Sequence, residues 1–378
     1  MTLREIIADE IRRNGPISFS RYMELCLYDP ELGYYSRPAE QFGRAGDFYT
    51  SSDVHAVFGR LLARQFEQMW RVLGAPERID LIELGPGRGL FARDVLDCCA
   101  RQFPDFARAL RYELVEQSAM LQARLRERLS DYVDAGRAGI CDSLEQASSR
   151  ARDCLIVFAN EFFDALPVEI IDERGTVRVA ESNGKFTEQF IGPSAEELEF
   201  LDRYGVHPDE NGRVEVSLAS VGWMERIAAT FQDRRGFAVL IDYGYTRQQQ
   251  LAGRHRDTLM TYRRHRAGFS PYDAPGEQDI TAHVNFTALS SVAESHSLEL
   301  VGLLTQSQFL IGIGEESQFA DAFEGCQMPQ ERAKVTLQLK HLISPEGMGE
   351  VFQVLVLSHG VDKEKAAHLS GPSFLRLR

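Results

Sequence analysis

Ile79-Asp80-Leu81-Ile82-Glu83-Leu84-Gly85-Pro86-Gly87-Arg88-Gly89 is the stretch on which the reading of the fold turns. Leu81 and Ile82 carry the chain through a short buried strand that ends at Glu83. Three glycines then follow at alternate positions, and Leu90 to Cys99 has the spacing of a helix. Glycine lets the backbone take φ > 0 and approach a ligand closely. The free N–H groups at the following helix start favour an electron-rich group. A strand, a glycine turn and a helix in that order predict a nucleotide-type cofactor site.

The spacing selects among such cofactors. Dinucleotide sites use G-x-G-x-x-G, whose glycines serve pyrophosphate approach and helix packing. Here an acid stands two residues before the first of three alternate glycines. S-adenosylmethionine has no phosphate but carries an ammonium and a sulfonium, and a carboxylate such as Glu83 can pair with the ammonium. Gly85, Pro86, Gly87 and Gly89 would form the cradle. Arg111 to Glu116 reads as the second strand, and Glu116 at its end is placed to accept the two ribose hydroxyls. Asp142, after the strand-like run Ala138 to Cys141, is placed toward the adenine. A solvated acid opening the helix Gln117 to Leu129 is the plainer reading of Glu116, because acids favour helix N-termini.

The chain has 378 residues, more than one core usually spans, so insertions or a second domain are expected. With 42 basic against 56 acidic residues, the net charge of −14 disfavours a general nucleic-acid binder. The basic runs Arg254-His255-Arg256 and Arg263-Arg264-His265-Arg266 read as solvated loops or as a steering surface. Six cysteines at 26, 98, 99, 141, 154 and 326 lack the spacing of a zinc site and read as reduced thiols. No segment has the apolar length of a membrane span. Met1 to Asn14 carries Glu5, Asp9 and Glu10 without a signal-peptide apolar core. From this a cytoplasmic protein is expected, with no membrane insertion and no nucleic-acid partner. A homodimer is admissible.

Leu3 to Arg13 has helical spacing, and Ser18 can cap a second helix through Leu27. Ser52 or Asp53 can cap a third from Val54 to Val72. These make 1–75 an N-terminal helical cap. Residues 76–378 then form the cofactor domain, with insertions at about 174–223 and 307–346. Strands at Ile79 to Glu83, Tyr112 to Val115, around Ile140, Cys154 to Ala159 and Phe237 to Ile241 alternate with helices, the pattern of a parallel sheet. Short β pieces are expected at Thr176 to Ala180 and Arg213 to Leu218. A helix at Phe286 to Ser295, a strand at Glu299 to Leu304, helical segments over Glu316 to Ile343 and a strand at Val351 to Leu357 complete the tail. The last strands add an antiparallel member to the sheet. The fold class expected is α/β, a Rossmann-like sheet with an N-terminal helical region, a β-containing insertion and helical C-terminal additions.

The fourth strand runs out into Ala159-Asn160-Glu161-Phe162-Phe163-Asp164-Ala165-Leu166-Pro167. Ligands of open α/β sheets bind beyond the carboxyl ends of the strands. Asn160, Glu161 and Asp164 therefore fall where a methyl acceptor would meet the cofactor. Capping by Asp164 and packing by the phenylalanines is the plainer alternative. An acid beside aromatics at a strand end is costly without a partner, which favours a role for Glu161.

Several motifs stand in one order along the chain: Tyr22-Met23, Gly33-Tyr34-Tyr35, Gly46-Asp-Phe-Tyr-Thr-Ser51, Glu83 to Gly89, Asn160 to Pro167, Ile241-Asp-Tyr-Gly244, Asp279 to Phe286 and Met348-Gly-Glu350. Together, from about Ile17 to Leu357, they resemble the MidA-like family of S-adenosylmethionine methyltransferases. The resemblance implies a class I methyltransferase fold and S-adenosylmethionine as cofactor. Mitochondrial members of that family assist assembly of respiratory complex I and methylate an arginine of a core subunit. It thus implies a protein arginine methyltransferase with a protein substrate. Glu161 would be the carboxylate that grips the guanidinium, with Asp47 or Asp164 as a second acid. A cofactor-binding assembly factor without essential catalysis and a small-molecule methyltransferase are the alternatives. Two positions depart from the family pattern: Thr50-Ser51-Ser52-Asp53 where Thr-Ser-Pro-Glu is usual, and Asn285 where Asp is common.

Overall fold

The computed structural model describes residues 1–37, 56–210, 212–263 and 266–374. They fall into two compact units. The first holds the described residues of Met1–Tyr49, Phe162–Met224 and Gly244–Val292; the second holds those of Thr50–Glu161, Glu225–Tyr243 and Ala293–Arg378.

The second unit is organised by the sheet that the glycine stretch announces. Its strands are β1 (Ile79–Leu84), β2 (Leu110–Val115), β3 (Ala138–Cys141), β4 (Cys154–Asn160), β5 (Arg235–Tyr245), β6 (Glu299–Thr305) and β7 (Phe352–His359). Their spatial order is β6-β7-β5-β4-β1-β2-β3. Pairs among β1 to β5 are parallel, whereas β7 runs antiparallel to both β5 and β6. This is the class I methyltransferase arrangement, with the expected antiparallel member near one edge. β1 is buried at every position and β4 at all but its last, as central parallel strands covered on both faces must be. Of the two acids within β1, Asp80 is held structurally: it accepts from the Arg78 guanidinium and from the backbone N–H of Arg152.

Strand order reverses between β1 and β4, where Leu84 lies beside Ala159. The crevice beyond those two strand ends is where such sheets bind ligands. Phe158 of β4 stacks on Phe91, in the first turn of the helix Leu90–Gln102, with centroids 4.5 Å apart. Phe66 meets Phe158 edge-on at 5.5 Å from the helix Ala56–Val72. These rings fix the start of the Leu90–Gln102 helix against the sheet, and so fix the glycine turn.

The first unit has its own core. Helices Leu3–Asn14 and Phe19–Tyr28 pack with a sheet built from Ile17–Ser18, Glu169–Asp172, Gly175–Ser182, Lys185–Ile191 and Val214–Val216. Thr2 and Glu5 form a capping box on the first helix, and the Ser18 hydroxyl caps the second. Asn285 explains its own departure from the family's Asp. Its Oδ1 accepts from the Ala288 N–H at the start of the helix Phe286–Ser295, and its Nδ2 donates to the Tyr204 carbonyl. A carboxylate could keep the cap but would lose the donor and face a buried carbonyl. Asn285→Asp is therefore expected to lower unfolding free energy by about 1–3 kcal/mol in urea denaturation.

One expectation for the tail is corrected. The helical segments begin at Gln306 rather than near Glu316, as Gln306–Ser317 and then Pro329–Ile343. Gly312 and Gly314 weaken the helical signal of the first segment. Gly312 is there for packing, since a Cβ would lie 2.4 Å from the Ser370 carbonyl oxygen.

Candidate active site

The loops that leave the carboxyl ends of β1 to β5 carry most of the side chains singled out above. After β1, Gly85, Gly87 and Gly89 all have positive φ (64°, 50° and 71°). The turn is closed by the Gly89 N–H donating to the Pro86 carbonyl at 2.8 Å, and Gly85 N–H donates to the Val115 carbonyl. A Cβ at Gly87 would meet nothing within 4 Å among the described residues, whereas one at Gly89 would lie 2.6 Å from Leu125 Cδ2. Gly89 therefore answers to packing. Gly87 answers to backbone conformation and to the room above the turn.

Glu83 is almost fully buried and accepts a 2.9 Å hydrogen bond from Tyr112 on β2. Burial pushes its carboxyl up to about 8, with the Tyr112 hydroxyl opposing. Glu116 follows β2, where its Oε1 accepts the Ser118 N–H at 2.8 Å. Burial raises it to about 7, against the backbone donors of Ser118 and Gln117. Gln122 ties this loop to the next: its Nε2 donates to the Glu116 carbonyl and to Asp142 Oδ1. Asp142 thus sits beside Glu116.

At the end of β4, Glu161 has φ 50°, a left-handed conformation uncommon for a residue with a Cβ. Its N–H donates to the Ile241 carbonyl, extending the β4–β5 ladder. One carboxylate oxygen accepts from Asn160 Nδ2 and the other from the Tyr243 hydroxyl, each at 3.2 Å. Tyr243 is itself held by Phe352 of β7, ring centroids 4.2 Å apart. Asn160 Oδ1 is buried and finds no hydrogen-bond partner among the described residues. Backbone strain at a strand end, with both oxygens gripped, marks a side chain held for use.

Of the other acids named for the acceptor, Asp164 belongs to the first unit. It is buried there, and its carbonyl accepts the Ala282 N–H. Asp47 lies outside the described residues. Tyr112, Gln122 and Tyr243 are the functional positions that sequence reasoning passed over. Only Tyr243 carried a signal, as part of Ile241-Asp-Tyr-Gly244. In the basic runs, Arg256 pairs with Asp209.

These residues fit S-adenosylmethionine on structural grounds. Glu83 is a buried carboxyl and Glu116 a half-buried one, each held above the usual carboxylate range, and the Asn160 amide oxygen lacks a donor among the described residues. The raised Glu83 and Glu116 carboxyls also set the sign of a pH effect. The folded state keeps protons that the unfolded chain has already lost above about pH 4.5, so stability falls as pH rises toward 8. Without cofactor, Glu83→Gln is expected to melt with the parent at pH 4.5 and above it at pH 8, read by thermal denaturation.

Fold and site together define a Rossmann-like cofactor-binding enzyme of the methyltransferase class. The chain belongs to the Methyltransf_28 family of S-adenosyl-L-methionine-dependent methyltransferases, whose model matches residues 61–304. S-adenosylmethionine is its cofactor. A crystal structure from Burkholderia thailandensis with S-adenosyl-homocysteine bound is similar over 95% of this chain and 92% of that one, at 31% identity and TM-score 0.78. Among curated relatives, protein arginine methyltransferase NDUFAF7, mitochondrial, of Danio rerio is 30% identical over 92% of this chain and 84% of its own. The NDUFAF7 homolog, mitochondrial, of Drosophila melanogaster is 28% identical over 97% and 86%.

Those names overturn the cytoplasmic expectation, since the curated relatives are mitochondrial proteins. The acids that argued against a sorting segment belong to a folded helix. Leu3, Ile7 and Ile11 are buried, and Glu5 serves the capping box. Their charge pattern reports packing, not address. Among the described residues no helix is long and apolar enough to cross a membrane.

Proposed function

We propose that this methyltransferase methylates an arginine side chain of a protein partner, a subunit of a respiratory complex, in support of that complex's assembly. The observation that carries the reading is Glu161, gripped on both oxygens by Asn160 and Tyr243 at the end of β4. The relatives named protein arginine methyltransferases support the choice of acceptor.

Bound S-adenosylmethionine supplies an electrophilic methyl group on its sulfonium. Glu83 would hold the ammonium, the turn from Gly85 through Pro86 and Gly87 to Gly89 would seat the amino-acid end, Glu116 would take the ribose hydroxyls and Asp142 would face the adenine. Asn160 Oδ1 would accept a donor from the same ligand. An arginine is a weak nucleophile because its charge is delocalised and its pKa exceeds about 12. A carboxylate binding two of its nitrogens draws positive charge toward them and leaves density on the third. Glu161 would do this, with Asp47 or Asp164 as the second acid, and alignment would supply much of the acceleration.

The test is transfer of labelled methyl to proteins of a mitochondrial extract depleted of this activity, with mass spectrometry to place the label. Label on an arginine of a respiratory subunit supports the reading. Label only on small molecules, or rescue of assembly by a variant that cannot transfer, would replace it.

A further inference from the structure

Tyr112 and Glu83 form a closed pair inside the second unit. Tyr112 is fully buried on β2 and Glu83 is 4% exposed on β1. The phenol donates to Glu83 Oε2, while Glu83 Oε1 accepts no hydrogen bond among the described residues. Few charges surround the pair. Glu83 lies beside Leu114 on β2 and Phe158 on β4, and Cys99 of the helix Leu90–Gln102 approaches Tyr112. Burial holds that thiol and the phenol well above their usual ranges, so both stay neutral. Among the described residues no cation makes an ion pair with Glu83. A buried carboxyl so placed keeps its proton until a cation arrives.

We infer that Tyr112 is a positioning residue for cofactor capture: it holds one oxygen of Glu83 so that the other meets the cofactor ammonium, and capture releases one proton. The inference rests on the reading that Glu83 faces that ammonium. The balance is simple. The Glu83 O–H bond breaks, its proton goes to solvent, and an ammonium–carboxylate contact forms. Tyr112 keeps its proton throughout and donates more strongly to the charged carboxylate.

The experiment is calorimetric titration of the full chain with S-adenosylhomocysteine from pH 6 to 9. Two buffers of different ionisation enthalpy count the protons. For the parent, affinity should rise roughly tenfold per pH unit up to about pH 8 and then level, with about one proton released per ligand at pH 7. Tyr112→Phe removes the hydrogen bond that favours the charged form, so the levelling point should move to higher pH. Glu83→Gln should lose the rise between about pH 7 and pH 8, keep only the Glu116 contribution below about pH 7, and bind more than tenfold weaker than the parent at pH 9. Should Tyr112→Phe fail to fold, a site-specific fluorotyrosine, a stronger donor, should move the levelling point down.

A flat parent profile without proton release would overturn the inference. So would a Tyr112→Phe loss that is equal at every pH, which marks packing alone. Parental affinity of Glu83→Gln at pH 9 would instead remove the ammonium reading beneath it, with cofactor binding intact.

Discussion

Glu161→Gln should lower methyl transfer by about a hundredfold to a thousandfold while leaving S-adenosylhomocysteine affinity within about twofold. The substitution keeps length and lets Tyr243 still hold the side chain, since an amide oxygen accepts its hydroxyl as a carboxylate does, while the bond from Asn160 Nδ2 is lost. What it removes is charge. A neutral amide cannot draw positive charge within a guanidinium, and one of its two heavy atoms now donates toward a cationic acceptor. The positive φ of Glu161 is a backbone property and is unchanged by Gln, so the fold should report little. Single-turnover transfer of labelled methyl to the protein acceptor, beside calorimetry with S-adenosylhomocysteine, separates the two effects. Transfer at the parental rate by folded, cofactor-binding Glu161→Gln would remove Glu161 from the chemistry.

Gly87→Val should weaken S-adenosylmethionine binding by at least about a hundredfold. Among the described residues no atom stands within 4 Å of the new Cβ. The cost to the free protein is a β-branched residue at φ 50°, roughly 1–2 kcal/mol, or a few degrees of melting temperature in a chain this long. The cost to binding is larger, because the isopropyl group fills the space above the turn that lets the backbone approach the ligand. Gly89→Val is the contrasting case, since its Cβ presses on Leu125 and should damage stability as well. Calorimetric titration with S-adenosylmethionine, with NADH as the control ligand, reads the effect. Near-parental affinity of Gly87→Val would mean that the cofactor's seat is elsewhere.

Much of this molecule was legible wherever local chemistry and burial agree. The glycine turn, the parallel strands around it and the helix Phe286–Ser295 follow from apolar runs and turn residues that mean the same thing at every level. The unit formed by Met1–Tyr49, Phe162–Met224 and Gly244–Val292 was harder, because its strands pair across long sequence separations. Lys185–Ile191 carries polar residues on an exposed face and, among the described residues, pairs only with Gly175–Ser182. Even so, a hairpin signal stood there unread: Asn183-Gly184, both with positive φ, is the pair that a tight two-residue turn prefers. At the site, carboxylates at strand ends were legible because an acid there stands out. Tyr112, Gln122 and Tyr243 were not, since each acts through a neighbour brought to it by the sheet.

The position of β7 has a consequence for how the protein is made. β7 fills the place between β5 and β6, yet it comes from Phe352–His359, long after the strand it must join. During synthesis the unit without the cofactor sheet has all of its residues once Val292 has emerged. At that moment β5 has only one long neighbour in the sheet, β4, and one edge of the methyltransferase unit is open. Unpaired edges of this kind are where nascent chains aggregate or engage chaperones. The ribosome therefore delivers every residue of the accessory unit before the last strand of the cofactor sheet.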